Sequence, residues 1–318
     1  MMLYTDPGEI PADFGESVVA IGKFDGLHAG HRAIIERMLV DAAGTGARTV
    51  AVTFDRNPLA VLAPLVCPRA LVGTRQKAAL LEDTGIDATL MLRFDETLAA
   101  EPAEDFVRRI LRDALHARTV LVGTDFRFGQ GGRGDAALLR RMGEEYGFRV
   151  DEIDDIRSLD GRRVSSTWIR ELLDEGSVAD AAKLLGRPPA VWGEVVHGAK
   201  RGRELGYPTA NLTPDLDGFI PADGVYAGWL IDTPETSGPA ATTRYPAAIS
   251  VGDNPTFTGV AARQVEAHVL DAGELDLYGH DVAVQFVERI RGMVAFRGIE
   301  ALKDQMADDV TRARTLLE

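Results

Sequence analysis

Through the first half of the chain, short apolar runs alternate with stretches whose apolar residues recur at helical spacing. The runs predict strands over residues 18–21, 48–54, 88–92 and 119–122. The helix after the first strand carries Ile34, Ile35 and Met38 on one face. Asp135 is in position to cap a later helix that runs toward Tyr146. Strands and helices in this order predict an α/β fold with a mostly parallel, doubly wound sheet.

The pattern changes after Gly186-Arg187-Pro188-Pro189, which cannot continue the helix predicted over residues 178–185. Beyond it, turn residues separate short apolar segments. Strands are predicted there over residues 190–197, 225–231, 247–251, 264–270 and 282–288. Strands of this number and length favour a small antiparallel β-barrel. Apolar residues at helical spacing from Ile299 to Leu317 predict a terminal helix that packs on the barrel. We therefore expect two domains, residues 1–186 and 187–318.

The composition is that of an ordinary folded protein, with 45% apolar and 26% charged residues over 318 positions. A formal charge of −14 argues against a nucleic-acid or anionic-membrane partner, because such partners need a basic surface. Cys67 is the only cysteine, which fits a reducing cytoplasm and excludes an intrachain disulfide. The acidic N-terminus, interrupted by Pro7 and Pro11, is unlike a signal peptide, and no apolar run reaches membrane-spanning length.

The segment from Gly22 to His31, Gly-Lys-Phe-Asp-Gly-Leu-His-Ala-Gly-His, joins the first strand to the first helix. Its glycines allow the main chain to come close to a ligand, and the N–H groups at a helix start favour an anion. His28 and His31 can donate hydrogen bonds to phosphate oxygens and stabilise charge during attack on a nucleotide phosphate, which favours adenylyl transfer. A histidine at a helix start is more often a cap or a surface residue. A histidine pair also suits a metal, but no acidic or cysteine cluster accompanies this one.

Two further segments belong to the same predicted edge of the sheet. The segment 123–129, Gly-Thr-Asp-Phe-Arg-Phe-Gly, follows the fourth strand directly, and Arg127 and Arg133 are placed to meet phosphates there. A plain connecting loop explains that segment equally well. The segment 165–170, Ser-Ser-Thr-Trp-Ile-Arg, opens a helix that ends at Gly176, and its hydroxyls alone are typical of caps. Arg170, one turn into that helix, can clamp a pyrophosphate with two hydrogen bonds.

A second polar constellation lies in the β-rich half. The basic, glycine-rich segment 197–203 leads to Gly206-Tyr207-Pro208-Thr209-Ala210-Asn211, which ends in oxygen-bearing side chains. Such a loop suits the phosphates of ATP, and the Thr209 hydroxyl and Asn211 amide oxygen are ligands that Mg²⁺ accepts. It is equally a tight turn with solvated charges. Glu266 alternates with apolar residues in a strand; on a solvent face it would mean nothing, whereas in a pocket it can accept the proton of an attacking alcohol.

Taken together and in order, these segments resemble the bifunctional riboflavin kinase/FMN adenylyltransferases, the bacterial FAD synthetases, over nearly the entire chain. The resemblance also rests on three short segments: Leu184-Leu185-Gly186-Arg187-Pro188, Val251-Gly252-Asp253-Asn254-Pro255-Thr256-Phe257 and Val265-Glu266-Ala267-His268. It implies an N-terminal nucleotidyltransferase domain that makes FAD and pyrophosphate from FMN and ATP. It also implies a C-terminal kinase domain that makes FMN from riboflavin and ATP, with Mg²⁺ needed in both reactions.

The resemblance further implies roles at the matching positions. His28 and His31 would contact the ATP phosphates during adenylyl transfer, while Arg170, with Ser166 and Thr167, would hold the triphosphate. In the kinase, Glu266 would be the base that activates the ribityl hydroxyl, and Thr209 and Asn211 would bind Mg²⁺ with ATP. The other implied nucleotide contacts are Gly22, Phe24, Asp25, Gly26, Asp125 and Arg127 in the first domain and Gly198, Lys200, Gly206 and Pro208 in the second; Phe257 and Glu266 are implied flavin contacts.

Two positions depart from the family pattern. The family segment Thr-Phe-x-Pro-His-Pro appears as Thr-Phe-Asp-Arg-Asn-Pro over residues 53–58, so Asn57 replaces a histidine and cannot carry its positive charge. The loop after Gly129 has Gly132 where many relatives have an arginine, which here is Arg133. Either FAD synthesis is slower than in typical relatives, or these positions matter less than the pattern suggests. Another nucleotidyltransferase with the same histidine pair, or a flavin-binding protein with degenerate sites, remains an alternative.

Overall fold

The computed structural model describes residues 1–197, 206–232, 243–253, 263–271 and 275–318. The chain divides into two compact units, Met1–Ser166 and Thr167–Glu318. The first contains a parallel sheet and the second a closed barrel followed by the terminal helix, so the predicted fold class is confirmed in both halves.

Six parallel strands form the sheet of the first unit, in the order β1-β4-β3-β2-β5-β6. They are β1 (Met2–Tyr4), β2 (Ser17–Ile21), β3 (Arg48–Phe54), β4 (Ala88–Leu92), β5 (Ala117–Gly123) and β6 (Arg149–Ile153). The four predicted strands are present, whereas the apolar pattern misses β1 and β6. Both of these are edge strands with half-exposed residues, and they lack the continuous apolar run of a strand buried on both faces.

Eight α-helices precede the barrel strands. They are α1 (Ala29–Ala42), α2 (Leu59–Leu62), α3 (Thr74–Glu82), α4 (Glu96–Ala100), α5 (Ala103–Phe106), α6 (Ala136–Tyr146), α7 (Ser166–Glu175) and α8 (Val178–Leu185). The helices α1 to α6 belong to the first unit, and α8 with all of α7 after Ser166 belongs to the second. A π-helix over Val107–Ala114 continues α5. Asp135 caps α6 as predicted, because its Oδ1 accepts a hydrogen bond of 2.9 Å from the N–H of Leu138.

The order of the strands places the two that carry the nucleotide motifs side by side. From β2 the chain proceeds outward to β3 and β4, and then returns to β5 on the other side of β2. β2 and β5 pair in parallel, with Val19 opposite Val120. The carboxyl ends of these two strands therefore form the topological switch point, where open α/β sheets bind their ligands.

Alternate residues of β2 enter different cores on the two faces of the sheet. Val18 and Ala20 pack with Ile35 and Met38 of α1. Val19 and its neighbours on the same face pack with buried residues of the opposite layer, among them Phe106, Leu111, Leu139 and Met142. Burial on both faces explains why the central strands read as continuous apolar runs.

The second unit contains a closed antiparallel barrel of six strands in the order β10-β11-β8-β7-β12-β9. The strands are β7 (Ala190–Val196), β8 (Ala210–Leu212), β9 (Gly224–Asp232), β10 (Thr243–Asp253), β11 (Arg263–Val269) and β12 (Asp281–Arg291). Five coincide with predicted strands. The sixth, β8, has only three residues, too few to show an alternation. The terminal helix α9 (Ile299–Leu317) packs on the barrel as predicted, with Ala313 buried against Val225 and Ile290.

Candidate active sites

The loop from β2 to α1 combines a strained main chain with buried side chains. Phe24 and Leu27 have φ angles of +47° and +44°, in the left-handed region that residues other than glycine rarely adopt, and Gly26 between them has +84°. The Phe24 and Leu27 side chains are buried in the core beneath α1, which offsets a cost of about 1–3 kcal/mol for each strained residue. Strain maintained above a topological switch point is typical of a ligand site.

The two histidines of this loop are stacked. The ring centroids of His28 and His31 are 3.8 Å apart, with 16° between the ring planes. His28 occupies the N-cap position of α1, but its ring makes no capping hydrogen bond, so the capping interpretation does not explain it. A Cβ atom at Gly30 would lie 3.2 Å from His28 Cε1, which shows that glycine leaves the space the ring occupies.

Electrostatics keep His31 neutral. Burial holds its pKa well below the ordinary value of 6.5, and the positive charges of His28, Lys77, Lys23 and Arg163 lower the pKa further. Its buried Nδ1 has no hydrogen-bond partner within the part of the chain that the structure describes. A desolvated imidazole surrounded by cationic groups is suited to meet an anion, which would supply the missing partner.

Lys77 is a cation of this region that the sequence pattern does not single out. It lies on α3, is only 7% exposed, and donates a hydrogen bond of 2.7 Å from Nζ to the carbonyl oxygen of Phe54 at the end of β3. Burial lowers the pKa of its amine, while Asp25 and Asp55 raise it. In the sequence, Lys77 looks like an ordinary exposed lysine of an amphipathic helix. Only its burial in the structure identifies it as a candidate site residue.

Asp25 holds the loop to two other segments. Its Oδ1 accepts a hydrogen bond of 2.8 Å from the N–H of Leu71. Its carbonyl oxygen accepts one of 2.9 Å from Oγ of Ser166, the first residue of α7. Two predicted nucleotide contacts distant in sequence, Asp25 and Ser166, are thus neighbours. Thr167 and Arg170 lie further along α7, in the second unit.

Three ion pairs organise the segments that follow β5 and β6. Arg163 pairs through Nη1 with Asp125 and through Nε with Asp155, each at 2.9 Å. The hydrogen bond from Arg163 lowers the pKa of Asp125. Arg163 was not predicted, because a loop arginine seven residues before Arg170 shows no pattern of its own. Arg127 pairs with Asp135 at 3.0 Å on the exposed side of its loop.

The two positions that depart from the family pattern have local structural roles. Asn57 Oδ1 accepts a hydrogen bond of 3.1 Å from the N–H of Leu59, at the start of α2. Gly131 and Gly132 have φ angles of +63° and +64°, whereas Arg133 has −73°. An arginine at position 132 would be strained in this left-handed conformation. The conformation of Gly131 and Gly132 therefore explains why the arginine lies one residue later, at position 133.

In the barrel, the predicted kinase residues come together on β8 and β11. Glu266 lies directly opposite Asn211 in the antiparallel ladder, so their side chains share a face. Asn211 Nδ2 donates to Oγ1 and to the carbonyl oxygen of Thr209, both at 3.2 Å. With its amide nitrogen so engaged, Asn211 can offer its amide oxygen to a cation. His268 Nδ1 lies 2.8 Å from the carbonyl oxygen of Pro208 and ties β11 to the same segment.

The predicted alternation along β11 is confirmed. Val265 and Ala267 are fully buried, while Glu266 is half-buried on the other face, as is Asn211. Gly206 precedes the site with a φ of +87°. Of the other predicted kinase-site residues, Gly198, Lys200 and Phe257 lie outside the described residues.

The oxygen donors of the barrel site fit a nucleotide-bound Mg²⁺ better than a metal held by the protein alone. No group of three or more His, Cys, Asp or Glu side chains in the described ranges is arranged to hold a metal ion. Thr209 and Asn211 instead supply neutral oxygens, and Glu266 supplies a carboxylate on the adjacent strand. Mg²⁺ takes such hard ligands one or two at a time when phosphates and water complete its coordination.

Comparisons with known proteins match both halves of the chain. The FAD synthetase family model matches residues 10–168, and the riboflavin kinase family model matches residues 185–317. The bifunctional riboflavin kinase/FMN adenylyltransferase of Escherichia coli (strain K12) is 36% identical over 297 residues, which cover 93% of this chain and 91% of that protein. The protein of the same name from Pseudomonas fluorescens is 37% identical over 300 residues, or 94% and 92% of the two chains.

A solved structure agrees with this fold. The crystal structure of a protein described as a macrolide-efflux protein from Streptococcus pneumoniae superposes with a TM-score of 0.85 at 30% identity, covering 98% of both chains. In the described part of this chain, we find no helix with the length and hydrophobicity needed to span a bilayer.

Proposed function

The chain belongs to the family of bifunctional riboflavin kinase/FMN adenylyltransferases, and from that premise we propose which residues carry out each reaction. Its N-terminal FAD synthetase makes FAD and pyrophosphate from FMN and ATP, and its C-terminal riboflavin kinase makes FMN from riboflavin and ATP. We assign the two activities to residues 1–186 and 187–318, since the kinase family model begins at residue 185. We also place the enzyme in the cytoplasm, in keeping with its single cysteine.

In the adenylyltransferase, the FMN phosphate attacks the α-phosphorus of ATP directly and pyrophosphate leaves. The protein positions the two reactants and stabilises the charge that develops on the phosphate oxygens. His28 and His31 contact those oxygens, Ser166 and Thr167 bind the triphosphate, and Arg170 holds the leaving pyrophosphate. Gly22, Phe24, Asp25, Gly26, Asp125 and Arg127 complete the nucleotide site.

The single observation that supports this assignment best is the stacked pair of His28 and His31 in a strained loop at the switch point. Helix capping and internal hydrogen bonding do not account for the pair, because the His28 ring makes no capping hydrogen bond and the buried His31 Nδ1 has no hydrogen-bond partner among the described residues. Groups kept at such a cost are more often functional than structural.

In the kinase, the riboflavin ribityl hydroxyl attacks the γ-phosphorus of ATP, the bond from that phosphorus to the bridging oxygen breaks, and ADP leaves. Glu266 accepts the proton of that hydroxyl, and Gly198, Lys200, Gly206 and Pro208 bind the nucleotide. Phe257 and Glu266 contact the flavin. The position of Glu266 opposite Asn211, itself bonded to Thr209, supports a site in which base and nucleotide ligands are adjacent.

Both reactions are proposed to need Mg²⁺. When bound with ATP, the cation neutralises phosphate charge and orients the phosphate that is attacked. Thr209 and Asn211 would hold it in the kinase.

The proposal is tested by incubating the protein with riboflavin, ATP and MgCl₂, and by resolving riboflavin, FMN and FAD over time by chromatography. Glu266→Ala is expected to abolish FMN formation and to spare FAD synthesis from supplied FMN. The isosteric Glu266→Gln should do the same, because it retains the shape and removes the base. His31→Ala should show the reverse selectivity.

Equal loss of both activities in either alanine variant would contradict the separation of roles. Accumulation of FMN without FAD in the wild type would point to Asn57 and Gly132 as the reason for a silent adenylyltransferase. Flavin binding without consumption of ATP would favour a binding protein with degenerate sites instead. EDTA should stop both reactions, and activity that survives chelation would rule out the proposed Mg²⁺.

A further inference from the structure

The main-chain ladder between β8 and β11 ends one residue short of Thr209, a proposed ligand of Mg²⁺. The last pair of that ladder joins Ala267 to Ala210, the first residue of β8. If the ladder continued, the next residue to be paired would be Thr209, opposite His268. Thr209 lies outside the strand, so pairing with β11 does not fix its position.

The residues just before Thr209 cannot extend the ladder. Pro208 has no N–H group and so cannot donate a ladder hydrogen bond. Gly206 turns the chain with a φ of +87°, in the left-handed region. Without a further contact to β11, this segment would be attached to that strand only through Ala210.

The side chain of His268 makes that further contact. Its Nδ1 lies 2.8 Å from the carbonyl oxygen of Pro208. A carbonyl oxygen can only accept, so Nδ1 carries the proton and donates. The same ring meets the Tyr207 ring edge-on, with the centroids 5.3 Å apart and 71° between the planes. His268 therefore holds the two residues that come directly before Thr209.

The bond to Pro208 acts directly on the position of Thr209. A peptide unit is planar, so the Pro208 carbonyl group lies in one plane with the nitrogen and Cα of Thr209. On its other side, Thr209 is held by Asn211, whose Nδ2 lies 3.2 Å from both its Oγ1 and its carbonyl oxygen. The Thr209 hydroxyl is thus placed between two anchors before any ligand binds, which lowers the ordering cost of binding.

Glu266 does not depend on the bond between His268 and Pro208. Glu266 lies two residues before His268 on the same face of β11, and the main-chain ladders place it opposite Asn211 on one side and Ser250 on the other. Removal of the His268 side chain leaves both ladders in place. The effect of His268 should therefore fall on the nucleotide segment and spare the proposed base.

We propose that His268 is a positioning residue of the kinase, which orients Thr209 toward nucleotide-bound Mg²⁺ by donating from Nδ1 to the carbonyl oxygen of Pro208. Its part in the reaction is geometric, and it exchanges no proton with the substrates. The inference rests on the proposed role of Thr209 as a ligand. It predicts that loss of this hydrogen bond weakens the use of ATP while the phosphoryl-transfer step is largely retained.

The first test reads the His268 ring in the full-length protein without nucleotide or metal. NMR of the histidine ring nitrogens, with His268 assigned from the spectrum of His268→Asn, shows which nitrogen carries the proton. In slightly alkaline buffer we expect a protonated Nδ1, because only that form can donate to Pro208. An unprotonated Nδ1 would overturn the inference whatever the activity of the enzyme.

The second test compares His268→Leu with His268→Asn, two side chains of similar size. The amide nitrogen of asparagine is as many bonds from the main chain as Nδ1 of histidine and can donate in its place, whereas leucine cannot. His268→Leu should raise the KM for ATP in FMN synthesis about three- to tenfold, as expected for one net hydrogen bond. Its kcat should stay within about threefold of wild type. His268→Asn should recover most of the loss in KM.

Arg314→Met is the matched control. Arg314 of α9 pairs with Asp271, two residues beyond the end of β11, and both side chains are exposed. The variant therefore removes another side-chain contact near this strand without touching the segment of Pro208. Its KM for ATP in FMN synthesis should be unchanged. FAD synthesis from supplied FMN, assayed in the same preparations, checks that each variant protein is intact.

An unchanged KM for ATP in His268→Leu would overturn the inference, as would an equal rise in His268→Asn or in Arg314→Met. A fall in kcat at unchanged KM would also overturn it, because His268 would then act on the chemical step. Thr209→Val separates the inference from the proposed function. A raised KM in Thr209→Val with wild-type behaviour of His268→Leu would refute the role of His268 alone. Wild-type kinetics in Thr209→Val would refute the proposed ligand, and this inference with it.

Discussion

The imidazole rings of His28 and His31 stack with their centroids 3.8 Å apart, close enough that a proton on one opposes a proton on the other. Burial first, and the neighbouring His28 second, hold the pKa of His31 well below 6.5. Below pH 6.5 the unfolded chain therefore takes up this proton before the folded protein does. The free energy of unfolding should fall by up to about 1.4 kcal/mol per pH unit from this residue until the folded pKa is reached.

The direct measurement is an NMR titration of the histidine Cε1–H signals, with His31 assigned from the spectrum of His31→Gln. The His31 signal is expected to stay at its neutral position through pH 6.5. Addition of ATP should move the midpoint upward, because phosphate favours the protonated ring. A midpoint at or above 6.5 in the free protein would contradict the structure.

Gly30 lies in the first turn of α1. Its replacement by alanine should favour the helix and, at the same time, lower the rate of FAD synthesis. Alanine favours a helix by about 0.5–1 kcal/mol over glycine, so Gly30→Ala should fold at least as well as the wild type. Its Cβ would press on the His28 ring at 3.2 Å and displace it. We expect FAD synthesis to fall on the order of tenfold while the kinase, assayed in the same preparation, is unaffected. An undiminished rate would show that the position of the His28 ring is unimportant.

Lys77 adds positive charge beside His31 at the cost of burying an amine. Lys77→Met retains the length of the side chain and removes the charge. We expect the KM for ATP in FAD synthesis to rise several-fold, because the site loses part of the potential that attracts phosphates, with riboflavin kinase unchanged. Lys183→Met, which replaces an exposed lysine of α8, is the control and should leave both KM values as they are. An equal rise in KM in both variants would show that the effect comes from the net charge of the protein and not from the position of Lys77 beside His31.

The attachment of α9 to the barrel depends on a largely buried ion pair. Both carboxylate oxygens of Asp309 accept hydrogen bonds from Arg291, and Gln305 adds a third donor. The side chains of Arg291 and Asp309 are only 17% and 6% exposed. Arg291→Met leaves the carboxylate buried without its partner, and we expect a loss of about 3–5 kcal/mol in the free energy of unfolding.

Denaturant titration of the barrel unit's unfolding transition measures this effect. Arg291→Met/Asp309→Leu should recover most of the lost stability, because apolar groups replace both charges together. If the double variant is as unstable as Arg291→Met, the ion pair itself stabilises the folded state, and the loss in Arg291→Met does not come only from an unpaired buried carboxylate.

Sequence reasoning worked best where burial is strong and local geometry follows from it. The central strands β2 to β5 appear as apolar runs because both of their faces are covered. Gly176 and Asp135 could be recognised as helix boundaries because capping depends on residues only a few positions apart. The edge strands β1 and β6 and the three-residue β8 escaped detection, since their pairing partners, rather than their own composition, define them as strands.

The chemistry of the candidate sites divides in the same way. The sequence by itself singled out His28 and His31, placed Glu266 on one face of its strand, and identified the family of bifunctional flavin enzymes. It could do so because periodicity and motif spacing involve only residues that are near one another in the chain. Only the tertiary structure decided that the histidine rings stack, that Lys77 is buried, that Arg163 pairs with Asp125, and that His268 holds the carbonyl oxygen of Pro208. These facts depend on contacts between residues distant in sequence and on the desolvation those contacts impose, neither of which local pattern contains.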